Sequence, residues 1–296
     1  MAAAATLTLA QRDRRFGYML TAPGLAALML VITFPLIFAF FTSFYDYTLL
    51  HPAHDTFVAW ANYQAAWEEE YLGGSLWVTL KFVLASVVIE FAIGFSVALA
   101  LNAITRFKTV YYLILLAPLL INPVVVGLLW RMLLHTELGI INYVIGRFGI
   151  PSVNWLGDAK VAFWTVVLVD IWHQVSFMAI LLLAGLAALP REPYEAARMD
   201  GASALRCFIH ITLPMMRPVI MVALLLRLIF AIKTFDIIFI MTKGGPGTAT
   251  DLISYFIYRA AFFGLDIGRA SAMSVGLLVI VLLLTTYLYR YMRSLR

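Results

Sequence analysis

Charge is scarce in this sequence: Asp, Glu, Lys and Arg make up 12% of its 296 residues, against about 25% in a soluble globular domain. That scarcity excludes a soluble enzyme. With 63% apolar residues and a mean hydropathy of +0.93, it marks an integral membrane protein. Cysteine occurs once, as Cys207, so the chain cannot form an internal disulfide or a multi-cysteine metal site. No GxxxxGK(S/T) phosphate loop is present, so the chain cannot itself hydrolyse ATP. Neither HExxH nor GxSxG occurs to support an intramembrane enzyme, although His173, Asp170 and Glu90 are acid–base groups. Low-complexity tracts and obvious repeats are also missing.

What is present is a series of long apolar runs. A helix needs about 20 apolar residues to cross ~30 Å of hydrocarbon, where its backbone must satisfy its own hydrogen bonds. Residues 18–44, 77–102, 110–134, 161–188, 218–241 and 268–292 qualify, which predicts an all-α membrane protein of six transmembrane helices. The first run follows Arg12, Arg14 and Arg15 like a signal peptide, but it exceeds the ~7–15 residues of a signal core, so it reads as an uncleaved span. The 21 Lys and Arg then decide sidedness. With both termini inside, 12 fall in cytoplasmic segments, including Arg106, Lys108, Arg191, Arg206, Arg217, Arg290, Arg293 and Arg296; five, Arg147, Lys160, Lys243, Arg259 and Arg269, fall outside. That bias places both termini in the cytoplasm. It also explains the net charge of +5 without any nucleic-acid partner.

The segment 45–76 has no Lys or Arg but carries Trp60, Tyr63, Trp67, Tyr71 and the run Glu68, Glu69, Glu70. Such a surface suits either the headgroup level or docking of an external partner. Lys243 to Gly247 opens a loop, because Gly and Pro break helices.

Residues 189–216 form the most informative loop. Pro193 suits a first helical position, and Glu192 and Glu195 favour the positive end of a helix dipole. Gly201 suits the left-handed residue that ends this helix. Ser203 then caps a second helix that Pro214 is expected to stop. Tyr194, Leu205, Phe208 and Ile209 are left available to a groove, a helix-in-groove docking mode.

Here Glu195, Ala196, Ala197, then Gly201, then Ile211, Leu213 and Pro214 reproduce the pattern E-A-A, three residues, G, nine residues, I-x-L-P. The chain thereby resembles the membrane subunits of binding-protein-dependent ABC importers. Leu189, Pro190, the run Met199, Asp200, Gly201, Ala202, and the later Gly244, Gly245, Pro246 resemble the carbohydrate-uptake branch, which includes the maltose and glycerol-phosphate importers. The resemblance covers nearly the whole chain. It implies a single polytopic domain over residues 1–296 with a transport bundle at about 77–292, sited in a bacterial inner membrane. The loop at about 189–216 would be a coupling helix seated on a cytoplasmic ATPase, with Glu195, Ala196, Ala197, Asp200, Gly201, Ile211, Leu213 and Pro214 as the coupling residues. The implied partners are a second six-span permease subunit, more readily a related protein than a second copy, two ABC ATPases that bind the ATP and Mg, and an external solute-binding protein. This chain itself is expected to hold no cofactor or metal and to catalyse no reaction.

Polar residues inside the spans point to a cavity, since charge at membrane depth is costly unless paired or hydrated. Asp170 and Gln174 are four residues apart in the fourth run, as are His173 and Phe177, so they repeat at helical spacing. Arg227 lies at similar depth in the fifth run and can face Asp170, either as a structural pair or as part of a substrate path. Asn122 and Pro123 can distort the third run and release a carbonyl into a cavity. Asn122, Asp170, His173, Gln174, Phe177 and Arg227 are thus the expected lining for a sugar-like solute, supplying hydrogen-bonding groups and aromatic faces. Glu90 is expected to pack between helices, and Lys81, Arg131 and Lys233 to snorkel. The alternative from another class is an ion-coupled transporter with Asp170 or Glu90 as the coupling carboxylate.

Overall fold

The computed structural model describes residues 9–50, 56–104 and 106–294. Arg296, counted above among the cytoplasmic cations, lies outside them. The chain divides into two compact units.

The first unit joins Met1–Trp67 with Ala260–Leu277. Helix α1 (Leu9–Thr42) starts nine residues ahead of the expected span and carries Pro23 and Pro35 within it. Its large apolar side chains are exposed along most of its length. Strands β1 (Tyr45–Asp46) and β2 (Thr56–Phe57) pair antiparallel with Tyr45 opposite Phe57, and α2 (Ala61–Trp67) follows. Asn62 fixes α2 by donating to the Ser43 and Tyr45 carbonyls at 3.0 and 2.8 Å. Thr42 donates to Ser271 at 2.9 Å. Phe44, Trp60 and Tyr63 cluster with ring centroids 5.2 to 5.6 Å apart, whereas Trp67 is 80% exposed.

The second unit comprises Glu68–Arg259 and Leu278–Arg296. Its helices are α3 (Leu72–Ala103), α4 (Lys108–Leu119), α5 (Pro123–Leu133), α6 (Ile140–Arg147), α7 (Ala159–Ala187), α8 (Glu192–Met199), α9 (Ala204–Cys207), α10 (Leu213–Ile232) and α11 (Asp236–Met241). It also takes most of α12 (Ile253–Phe262) and the second half of α13 (Ile267–Ser294). Phe95, Ala98 and Leu101 of α3 interlock with Met178, Leu182 and Leu186 of α7 and with Met216 and Ala223 of α10. Lipid tails are as apolar as these side chains, so close packing rather than water exclusion holds such helices together. Gly94 shows how close: a Cβ there would lie 2.8 Å from Met178 Cγ.

Among the described residues, five helical runs are long and apolar enough to cross a membrane, and the α4–α5 pair supplies one further candidate. The run at 110–134, where Asn122 and Pro123 were expected to distort the helix, is that pair, and its axes bend by 89°. Pro118 falls in the last turn of α4, and Pro123 opens α5 without an N–H to extend the earlier helix. A residue preceding proline is driven towards extended backbone, and Asn122 obeys with ψ 135°. The expectation that Pro214 stops a helix is corrected. Residues Phe208–Thr212 form a π-helical turn in which the Leu213 N–H reaches the Phe208 carbonyl. Helix therefore continues through the π turn into α10, because Pro214 sits in the first turn of α10, where a missing N–H costs little. The run expected as the fifth span breaks at Lys233–Phe235, between α10 and α11.

Two loops are ordered by single buried side chains. Between α5 and α7, Asn142 donates to the Thr136 and Val153 carbonyls and to Ser152, each at 2.9 Å, and accepts from Trp155 Nε1 at 2.8 Å. Between α11 and α12, Asp251 accepts from Arg259 at 2.7 Å. Burial pushes the Asp251 carboxyl above its ordinary range, with Arg259 opposing the shift.

Candidate functional site

The polar face of α7 meets charged groups from two other helices at the centre of the second unit. Arg227 of α10 is fully buried, as is Glu90 of α3, and Asp170 of α7 is nearly so. The Arg227 guanidinium donates through Nη2 to Glu90 Oε1 at 2.8 Å, through Nε to Glu90 Oε2, and through Nη2 to Asp170 Oδ2. The expected contact between Asp170 and Arg227 is present. Glu90, read from the sequence as an interhelical packing residue, joins it as the third member. A forked guanidinium suits two carboxylates at once, and each buried charge finds an opposite partner, which makes the cluster tolerable at membrane depth.

The helix break before α5 leaves carbonyls without helical partners, and α7 supplies donors to them. His173 Nε2 donates to the Ile121 carbonyl at 3.0 Å, and its Nδ1 accepts from Gln174 Nε2 at 3.1 Å. Both ring nitrogens are thereby held by neighbouring groups. Ser176 also donates to the Leu115 carbonyl, inside α4. At the second break, Ser254 of α12 donates to the Thr234 carbonyl. Unwound backbone at this depth is satisfied by neighbouring side chains, as a hydrocarbon environment requires.

A cavity of about 550 Å³ opens against both breaks. Asp170, His173, Gln174 and Phe177 line it from α7, and Phe230, Lys233, Thr234, Phe235 and Asp236 from the α10–α11 break. Phe177 and Phe230 meet edge to face at 5.5 Å. Four of the six expected lining residues are therefore on the wall. Arg227 is enclosed in the ionic cluster, and Asn122 caps α5, accepting from the Val124 N–H at 2.9 Å. Lys233 and Asp236 were not expected there. Their signal was the sequence Lys233, Thr234, Phe235, Asp236, polar enough to interrupt an apolar helix. Chemically the wall offers carboxylate acceptors, amide and ammonium donors and aromatic faces.

The segment after α7 forms a second arrangement. Helix α8 buries none of its residues, and Glu192 and Glu195 occupy its first turn. Gly201 has φ +74°, the left-handed conformation its position suggested. The Ala202 N–H bonds to the Ala197 carbonyl at 2.9 Å and the Gly201 N–H to the Arg198 carbonyl at 3.0 Å, a Schellman closure. Ser203 caps α9, accepting from the Arg206 N–H at 3.3 Å. Leu205 and Ile209 are exposed. Phe208, expected to be free, packs on Phe95 at 5.6 Å, and Tyr194 is held by Thr212 at 3.0 Å. Ile211 and Leu213 are half-buried, while Ala196, Asp200 and Pro214 are exposed and Ala197 partly so. Among the described residues, Glu195 and Arg198 form no ion pair.

Broken apolar helices around a polar cavity define a helical membrane transport subunit. The chain belongs to the family of binding-protein-dependent transport system inner membrane components, whose profile matches residues 90–296. It is 36% identical over 280 residues to the trehalose/maltose transport system permease protein MalF of Thermococcus litoralis, covering 95% of this chain and 94% of that one. It is 34% identical over 282 residues to the sulfoquinovosyl glycerol transport system permease protein SmoG of Agrobacterium fabrum, covering 95% and 92%. Its fold is similar to a chain in the crystal structure of a bacterial ABC transporter involved in the import of the acidic polysaccharide alginate, with TM-score 0.82, 22% identity, and coverage of 96% and 98%. The family read from residues 195–214 is thus the family of the chain as a whole, a transport rather than an enzyme family, and the ion-coupled alternative gains no support from it.

Proposed function

We propose that this chain is one of two permease subunits of an ATP-driven importer for a sugar or sugar-like solute such as a polyol, an oligosaccharide or a sugar derivative. The observation that carries this reading is the polar and aromatic cavity of about 550 Å³ between two helix breaks, in a chain whose family is a binding-protein-dependent transport component. Asp170, Gln174 and Phe177 contact the solute, His173 anchors the wall, and Asn122 and Arg227 shape it. The bent α4–α5 pair completes a six-span bundle with both termini cytoplasmic. Residues 189–216 then face the cytoplasm, where Glu195, Ala196, Ala197, Asp200, Gly201, Ile211, Leu213 and Pro214 present the coupling helix to one of two ATPases that bind ATP and Mg. A related permease subunit pairs with this one, and an external solute-binding protein delivers the cargo.

The test is uptake in proteoliposomes carrying the purified complex and its binding protein. Uptake should require ATP and survive ionophores that collapse ion gradients. Uptake driven by a gradient without ATP would refute the reading.

A further inference from the structure

We propose that the solute is uncharged: the cavity favours a neutral polyhydroxylated molecule over sugar acids, sugar phosphates and sulfonated sugars. This rests on reading the cavity as part of the translocation path. Asp170, Lys233 and Asp236 are the charged residues on its wall. Lys233 and Asp236 flank the α10–α11 break, and among the described residues neither has an ion-pair partner, so over the cavity their charges cancel. Asp170 is backed by Arg227, but that guanidinium is shared with Glu90. One cation against two carboxylates leaves the cluster at −1 when both are ionised and at zero when it holds a proton.

No compensating positive charge comes from the neighbours. His173 spends both ring nitrogens on bonds to Ile121 and Gln174. Arg131 donates to the Ile240 carbonyl at 3.0 Å, away from the wall. On the wall itself two carboxylates, Asp170 and Asp236, stand against one ammonium, Lys233. An anion entering the cavity meets one ammonium and two carboxylates, in surroundings where an imperfectly paired charge is costly. A neutral solute uses the same groups as hydrogen-bonding partners: Asp170 and Asp236 accept from hydroxyls, Lys233 and Gln174 donate, and Phe177, Phe230 and Phe235 receive its C–H faces. A few placed polar groups on an aromatic wall is the usual construction of a small-molecule site.

The first measurement is the cargo itself. The intact complex with its binding protein is purified from cells grown on a mixed carbohydrate hydrolysate, and the retained solute is identified by mass spectrometry. A neutral sugar or polyol supports the inference. A solute bearing carboxylate, phosphate or sulfonate overturns it and leaves the importer reading intact, whereas an amino acid or peptide overturns both. The second measurement reads the permease. That solute, and its derivative with one primary alcohol oxidised to a carboxylate, are supplied to proteoliposomes at matched occupancy of the binding protein. The neutral form should enter at least about tenfold faster; equal rates refute the inference. Asp236→Asn should narrow this ratio and Lys233→Gln widen it, opposite shifts that a general folding defect would not produce. If both variants keep the original ratio, the charge of the cavity does not select the solute.

Discussion

Arg227 is the residue on which most depends. Replacing it alone, as Arg227→Gln, leaves Glu90 and Asp170 buried without a counter-charge, and breaking a buried pair in this way costs about 3–5 kcal/mol. A large drop in the melting temperature of the solubilised complex should report it. The double change Asp170→Asn, Arg227→Gln would rescue a simple pair, but here it strands Glu90. Rescue should need Glu90→Gln as well, and full recovery by the double variant would show that Glu90 is not a working member. Asp170→Asn alone should be the mildest of the three single neutralisations, since it leaves Arg227 and Glu90 joined by two bonds. Gln174→Ala isolates the cavity from this cluster. It removes a wall donor and the partner of His173 without exposing a charge, so it should raise the KM for uptake several-fold while assembly and melting temperature hold.

At the scale of elements, Gly201 and Asn142 each hold a local structure in shape for a different reason. A Cβ at Gly201 would meet nothing within 4 Å, so substitution there acts through φ alone. A left-handed residue costs roughly 1–2 kcal/mol without glycine, and more when β-branched. Gly201→Val should therefore insert into the membrane yet lose uptake and co-purification of the ATPase, while Gly201→Asn, which tolerates this conformation, keeps most of both. Normal transport by the valine variant would remove the corner from the coupling role. Asn142 acts through partners instead. Asn142→Ala unpairs several buried groups at about 2 kcal/mol or more, and should speed hydrogen exchange across residues 134–158 while sparing α3 and α7.

The whole molecule poses the question of sidedness, which the lone thiol can answer. Cys207 is half-buried and free, in the segment assigned to the cytoplasm. A membrane-impermeant maleimide should label it in inside-out vesicles and not in right-side-out ones, with Cys207→Ser as the blank. Labelling from the outer face only would invert the topology. At the same scale, α1 leaves its apolar side chains uncovered within its own unit, as suits a helix whose neighbours are lipid or another chain.

Composition and periodicity determined the membrane class, the positions of the apolar runs, the shared face of Asp170, His173, Gln174 and Phe177, and the glycine corner with its motif. Each of these depends on residues within a few turns of one another, so it is legible along the chain. Asn122 and Pro123 announced a distortion, but not a bend of 89°, because the angle depends on which side chains reach the freed carbonyls. His173 reaches Ile121 from 52 residues away. Only the tertiary structure decided that Glu90 shares Arg227 with Asp170, contacts that close sequence separations of 137 and 57 residues. It also set Lys233, expected only to snorkel, on the wall of a cavity beside Asp236. Which buried charges meet is set by how helices pack against each other, and no local pattern carries that information.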